Sequence, residues 1–237
     1  MPSKNVAFRL PLGNIVTLSP TFKPATVQSW NLSIAHQLRK DLSVEAAYVG
    51  IETYHDNVQN EVNPGVYAKG GARENPSFSS VEMTQSSGTT SYNALQAHIQ
   101  KTMSHGLQAG SSFTWSRTID DSPYSSITWG ARLTDPFNLR ANRGEAVMNI
   151  PLISVTNFVY TAPSFGSNEL VKNTLGGWEL SGIMTFQSGT PFSVMWTSNA
   201  DYSQAHTYTD RADLSGAPLK VKQGGRSNWL QAYLFSE

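Results

Sequence analysis

Large apolar side chains recur at every second position in run after run of this chain, while helical spacing is scarce. Trp30, Leu32 and Ile34 alternate with Asn31, Ser33 and Ala35, and Gln37 continues that second set. Leu42, Val44, Ala46 and Tyr48 repeat the pattern opposite Ser43 and Glu45. Leu95, Ala97 and Ile99 alternate with Gln96, His98 and Gln100; Leu107, Ala109, Phe113 and Trp115 alternate with Gln108, Gly110, Ser112 and Thr114. Trp178, Leu180, Gly182, Met184 and Phe186 alternate with Glu179, Ser181, Thr185 and Gln187. A period of two is the pleat of a β-strand, in which neighbouring side chains point to opposite faces. The pattern predicts six main strands near 27–38, 42–53, 91–102, 107–118, 147–161 and 176–190, each antiparallel to its sequence neighbour. Pro151 belongs at the start or edge of the fifth, because it cannot donate to a ladder.

The connectors alternate in length. Short links fall at 38–41 and 103–106, where Gly106 suits a turn position with positive φ, and a medium link falls near 162–175. Long links fall near 52–90, 118–145 and 198–230, with a local strand expected at 78–84. One end of the sheet therefore carries all the large loops. Strands of roughly 9–12 residues with this asymmetry suit an outer-membrane barrel. A soluble β-sandwich or lipocalin-like barrel also alternates apolar and polar residues. Such a protein normally sets Lys and Glu on its wet face, whereas here that face is mostly Ser, Gln, Asn, Thr and Gly.

Composition narrows the field. Seventeen Lys and Arg balance 17 Asp and Glu, which argues against a nucleic-acid partner, since that requires a basic excess on one face. Charged residues are 14%, against about 25% in ordinary soluble domains. Aromatics at 11% speak against disorder. The absence of cysteine excludes disulfides, thiol nucleophiles and thiolate zinc sites. No apolar run is long enough for a transmembrane helix. The N-terminal segment has no apolar core of a secretory signal, so the chain is expected to be an internal piece of a longer protein.

Seven segments in order resemble the TonB-dependent outer-membrane receptors, specifically their Oar-like branch: VQSWNLSIAHQL (27–38), EAAYVG (45–50), SSGTTSYNALQ (86–96), HGLQAGSSFTWSRTIDD (105–121), DPFNLRANRGEA (135–146), LGGWELSGIMTFQSGTPFSV (175–194) and RADLSGAP (211–218). After Arg143-Gly144 the family usually shows an Asp and an Arg-His-Arg-Phe-like run; this chain reads EAVMNIPLISVTNF instead. The resemblance implies a roughly 22-stranded barrel closed by an N-terminal plug and driven through a TonB box by the TonB energy-transducing complex. Residues 1–237 would form part of the later barrel, without plug or signal peptide. The implied fold class is all-β, an antiparallel up-and-down partial transmembrane barrel wall, located in the outer membrane and in contact with its lipid.

If the short turns face the periplasm, strand direction follows by counting. Trp30, Tyr48, Trp115 and Phe186 then lie near the extracellular ends of the apolar face, and Phe158 or Tyr160, with Trp178, near the periplasmic ends. These seven form two expected aromatic girdles. Lys101 falls on the lipid side but beside a turn, where it can snorkel. Glu45 and Glu179 fall on the lumen side.

The residues carry no catalytic, cofactor or metal signature. His36, His55, His98, His105 and His206 lack metal-ligand spacing. Glu52 with Asp56, and Asp120 with Asp121, are read as solvated loop carboxylates. No nucleophile elbow, P-loop or dinucleotide fingerprint occurs, and nothing in the sequence pairs a serine with a base. The expected function is nutrient uptake without covalent chemistry. The alternative is a soluble or surface all-β carbohydrate-binding or adhesive module using Trp129, Trp196 and Tyr202. The two differ in the aromatics: one shared core for the module, two outward bands for the membrane wall.

Overall fold

A computed structural model describes residues 10–66, 71–121, 133, 137–163, 177–192, 195–197, 209–211, 213–214 and 235–236. Its strands in chain order are β1 (Leu12–Leu18), β2 (Thr26–Arg39), β3 (Leu42–Glu61), β4 (Gly65–Val66), β5 (Ala72–Arg73), β6 (Phe78–Ser104), β7 (Leu107–Asp120), β8 (Gly144–Glu145), β9 (Leu152–Thr161) and β10 (Glu179–Gln187). Four short strands follow: β11 (Met195–Thr197), β12 (Thr209–Arg211), β13 (Asp213–Leu214) and β14 (Phe235–Ser236). The main sheet runs β10-β9-β7-β6-β3-β2, so each long strand lies antiparallel beside its neighbour in sequence. Among the described residues β2 and β10 are open edges. The sheet is an unclosed barrel wall.

The tight hairpins follow from local chemistry. Ser104 pairs with Leu107, leaving only His105 and Gly106 in the turn. Both have positive φ, 51° and 77°, as a two-residue turn matched to the twist of its strands requires. Glycine meets that demand freely and histidine is tolerated there. At the β2–β3 turn Arg39 pairs with Leu42, leaving Lys40 and Asp41.

The structure differs from the sequence reading in three places. The strand expected at 91–102 is the second half of β6, a strand of 27 residues. The expected local strand at 78–84 is its first half, and β3 likewise runs for 20 residues. A bilayer crossing needs only about 9–11 residues, so both strands project well beyond one. Second, β1 pairs in parallel with the first half of β6, from Leu12 with Phe78 to Leu18 with Thr84. It takes up the edge of β6 beyond Thr90, where β7 ends. Third, the fifth strand starts at Leu152 rather than 147. Asn149 occupies the ladder position instead: its side-chain Oδ1 accepts from the Thr118 amide at 2.9 Å. Next to it, the Ser116 amide donates to the carbonyl of Pro151, which itself has no N–H to offer.

Two glycines are required by their neighbours. The Trp30 indole lies over Gly50, its cross-strand partner, so that a Cβ there would sit 2.3 Å from the ring. Phe158 covers Gly182 in the same way, at 2.9 Å.

Candidate functional site

The register sorts the sheet into two faces. One cross-strand row reads Leu32, Tyr48, Leu95, Trp115 and Leu152. Towards the short turns the next rows on this face are Ile34, Ala46, Ala97, Phe113, Ser154 and Phe186, then Val44, Ile99, Ser111, Thr156 and Met184. The opposite face is polar on β6 and β7, with Gln96 and Thr114 in one row beside Ser33, and Glu45, His98 and Ser112 in another; on β9 and β10 it also carries Ile153, Val155 and Ile183 among Asn157, Thr185 and Gln187. The large side chains of the apolar face are uncovered: Leu32 is 69% exposed, Ile34 71% and Phe186 66%. Buried apolar side chains among the described residues are few: Val58, Pro64, Ala94, Leu133 and Ala146. A water-soluble module would bury its aromatics in one core, and this sheet does the opposite.

The seven aromatics singled out from the sequence fall on the apolar face. Tyr48 and Trp115 share a row, and Trp30 stands one row further from the short turns. Phe186 stands one row nearer to them, level with Phe113. Towards the short turns Phe158 pairs with Ala109, and Tyr160 with Leu107. Trp178 precedes β10, keeps the alternation of Leu180 and Gly182, and its carbonyl accepts from the Ala162 amide at 2.8 Å. Glu45 and Glu179 lie on the polar face, opposite His98 and Thr161. His36 lies on the apolar face level with Val44, and His105 in its turn. Trp129, Tyr202 and His206 lie outside the described residues, and Trp196 falls within β11.

Lys101 does not reach out alone. Its ammonium meets the Asp41 carboxylate at 2.5 Å, and both groups hydrogen-bond Ser104. The two short turns are thereby tied together. The Lys101 hydrogen bond, then that of Ser104, holds the Asp41 carboxyl down at about 2.

The polar face holds one arrangement invisible in the sequence. His98 Nδ1 lies 2.9 Å from Ser112 Oγ, and Glu45 faces His98 across the ladder. A serine does meet an imidazole here, because the strand register joins residues far apart in the chain. Acyl transfer would also need free N–H groups for an oxyanion. Ser112 sits in a strand paired on both sides, whose amides belong to the ladder.

The long-loop end is built differently. Glu61 is buried; its carboxylate accepts from the amides of Asn63 (2.8 Å) and Val81 (2.9 Å) and from Ser80 Oγ (2.6 Å). Arg73 lies 3.8 Å away and donates to the Asn63 carbonyl. The Asn63 side chain joins the backbone of Asn75 in both directions, at 2.9 Å each. The carboxylates read as loop groups are engaged too. Glu52 accepts from Ser91 at 2.7 Å, Asp56 from Thr90 at 3.2 Å, and Asp121 from the Thr89 amide and hydroxyl at 2.6 and 2.7 Å. No group of three or more His, Asp or Glu is set to hold a metal among the described residues.

An open antiparallel wall with one uncovered, mainly apolar face and one mainly polar, sparsely charged face defines a membrane β-barrel segment. The sequence model of the family described as outer membrane beta barrel domain matches residues 2–237, and the chain belongs to that family. It is therefore an outer-membrane protein in contact with membrane lipid. No curated protein sequence matches it. Among solved structures it resembles the outer membrane transporter YddB from Escherichia coli, at 9% identity and a TM-score of 0.46. That match covers 81% of this chain and 25% of YddB, so the chain spans about a quarter of that protein's length.

Proposed function

We propose that residues 1–237 are part of the barrel of a TonB-dependent receptor of the Oar-like branch, one that takes up a nutrient ligand without covalent chemistry. The carrying observation is the two-faced open sheet: uncovered apolar side chains are spread over all six strands on one face, and both of its edges are unpaired among the described residues. On this reading the apolar face meets lipid, and the polar face, with Glu45, His98 and Glu179, lines the lumen against a plug. The short turns are periplasmic and the long connectors extracellular, where ligand is captured. Trp30, Tyr48, Trp115 and Phe186 form the outer girdle; Phe158, Tyr160 and Trp178 form the inner one. From Trp115 to Leu107, opposite Tyr160, β7 covers about 26 Å at roughly 3.3 Å per residue. At a tilt of about 40° this spans about 20 Å along the membrane normal, close to the ~25 Å apolar band of such barrels.

The lack of cysteine makes thiol mapping a clean test. In intact cells a membrane-impermeant maleimide should label Ser87→Cys on the long-loop side and spare Lys40→Cys in the short turn. Labelling of Lys40→Cys from outside would reverse the orientation. In-cell cross-linking should also capture TonB on the assembled protein. Correct surface labelling without any TonB adduct would leave the barrel and remove the receptor assignment.

A further inference from the structure

On β6 and β7 the apolar face gives way to Asn93 and Arg117, one step beyond Leu95 and Trp115, in the row where Trp30 of β2 covers Gly50 of β3. At this boundary an open cleft of about 480 Å³ lies against the wall, a size usual for small-ligand sites. Tyr48 and Trp115 supply flat aromatic walls. Asn93, Arg117, Glu145 and Asn149 supply the polar groups. The Tyr48 hydroxyl donates to Asn93 Oδ1 at 2.5 Å, which fixes both side chains. Arg117 Nε stands 3.6 Å from Glu145 Oε1, and both side chains remain about half exposed. Asn149 is 1% exposed, and its Nδ2 has no hydrogen-bond acceptor in the protein. A buried donor without an acceptor is costly, and a ligand that accepts from it removes that cost.

We propose that this cleft seats the hydroxyl-rich sugar headgroup of a membrane glycolipid, whose acyl chains continue down the apolar stripe past Leu95 and Phe113. Three features select this occupant. The cleft opens onto the apolar face, so an amphiphile is served along its whole length. The cation and anion at its rim compensate each other, which disfavours a bare phosphate or ammonium headgroup. Hydroxyls donate and accept, and so satisfy a carboxylate, a guanidinium and an amide together, while sugar rings lie flat on aromatic walls.

The inference rests on the apolar face meeting lipid, and the test separates the two. The barrel carrying this wall is reconstituted in phosphatidylcholine bilayers with a diglucosyl diacylglycerol bearing photoreactive groups in its headgroup and its acyl chains, or with a phosphatidylcholine labelled in the same way. Adducts are mapped by mass spectrometry. The glycolipid should mark residues 93–95, 115–117 and 145–149 about fivefold or more above phosphatidylcholine. This excess should vanish in the double variant Trp115→Leu, Glu145→Gln, with labelling lower on the apolar face unchanged. Equal labelling by the two lipids overturns the glycolipid site and leaves the wall intact. No adduct of either lipid anywhere on the apolar face overturns the wall assignment itself.

Discussion

The two ends of this sheet obey opposite rules. Towards the short turns large apolar side chains stand uncovered, and the small residues and amides face the other way. Towards the long connectors most buried groups are polar, among them Glu61, Asn63, Ser80, Asn142 and Asn149, with Val58 and Ala146 beside them. The same strands, β3 and β6, pass through both regions. What changes is the solvent expected of each. In hydrocarbon an exposed leucine is free of cost, while an unpaired backbone amide costs several kcal/mol, so a regular ladder suffices. In water the projecting hairpin has little apolar surface to bury, so it is held by satisfied hydrogen bonds. The boundary is written into the backbone: β3 shifts register around His55, which has a positive φ of 57°.

The largest effects should come from denying the apolar half its solvent. Expressed alone in water, the chain should give inclusion bodies or soluble oligomers, because it presents open strand edges and an uncovered apolar stripe. A sharp monomer peak on size-exclusion chromatography without detergent, with a cooperative thermal transition, would break the comparison. Within an assembled barrel, Ile99→Arg on the apolar face should destabilise the fold by about 2–4 kcal/mol if it lies near the bilayer midplane. Gln96→Arg on the opposite face should change little. Urea unfolding from bilayers measures both, and equal losses would contradict the two-faced assignment.

The long-loop end should fail in another way. Glu61→Leu strands the amides of Asn63 and Val81 and the Ser80 hydroxyl, at a cost of about 1–3 kcal/mol for each buried group left unmade. Limited proteolysis should then cut the connector between β3 and β6 while membrane assembly persists. Loss of assembly would show that the two regions fold as one unit.

How much of this was legible in the sequence divides along the same line. Period-two alternation revealed the six strands, their neighbours and which side chains share a face, because the pleat leaves no freedom once a strand exists. It did not reveal β1 beside β6, since Leu12–Leu18 carries no mark of its partner or of a parallel direction. Nor did it show that 78–84 and 91–102 are one strand: the bridging residues Gln85 to Thr90 are polar on both faces, which a sequence reader takes for a loop. The meeting of His98 with Ser112, and of Asn149 with Thr118, depends on register across strands. Trp30 over Gly50 was hidden for the same reason.

That aromatic–glycine pair gives a smaller test. Gly50→Val places side-chain atoms where the indole of Trp30 lies, so the ring must swing away and lose its seat on the neighbouring strand. A loss of about 1 kcal/mol is expected, typical of a single disturbed packing site. A changed tryptophan emission should accompany it and be absent in the control Trp30→Phe, Gly50→Val. An unaltered spectrum in Gly50→Val would mean that Trp30 does not rest there.

The smallest effect belongs to the turn clamp of Asp41, Lys101 and Ser104, which lies outside the membrane-spanning part and keeps access to solvent. Its carboxyl titrates at about 2 in the folded chain, against an ordinary 3.8. A depressed folded value means that the link stabilises the turns above pH 3.8 and is lost as the pH falls from there through about 2. The contribution should therefore be constant from neutral pH down to about 4, and added salt should weaken it, as for any exposed ion pair. Asp41→Asn removes the charge but keeps the shape, so its difference from the natural chain should vanish only in that acid window. Carboxyl-carbon NMR of Asp41 gives the midpoint directly. A midpoint near 3.8 would mean that the two short turns are not joined, and that Lys101 reaches to the headgroups on its own.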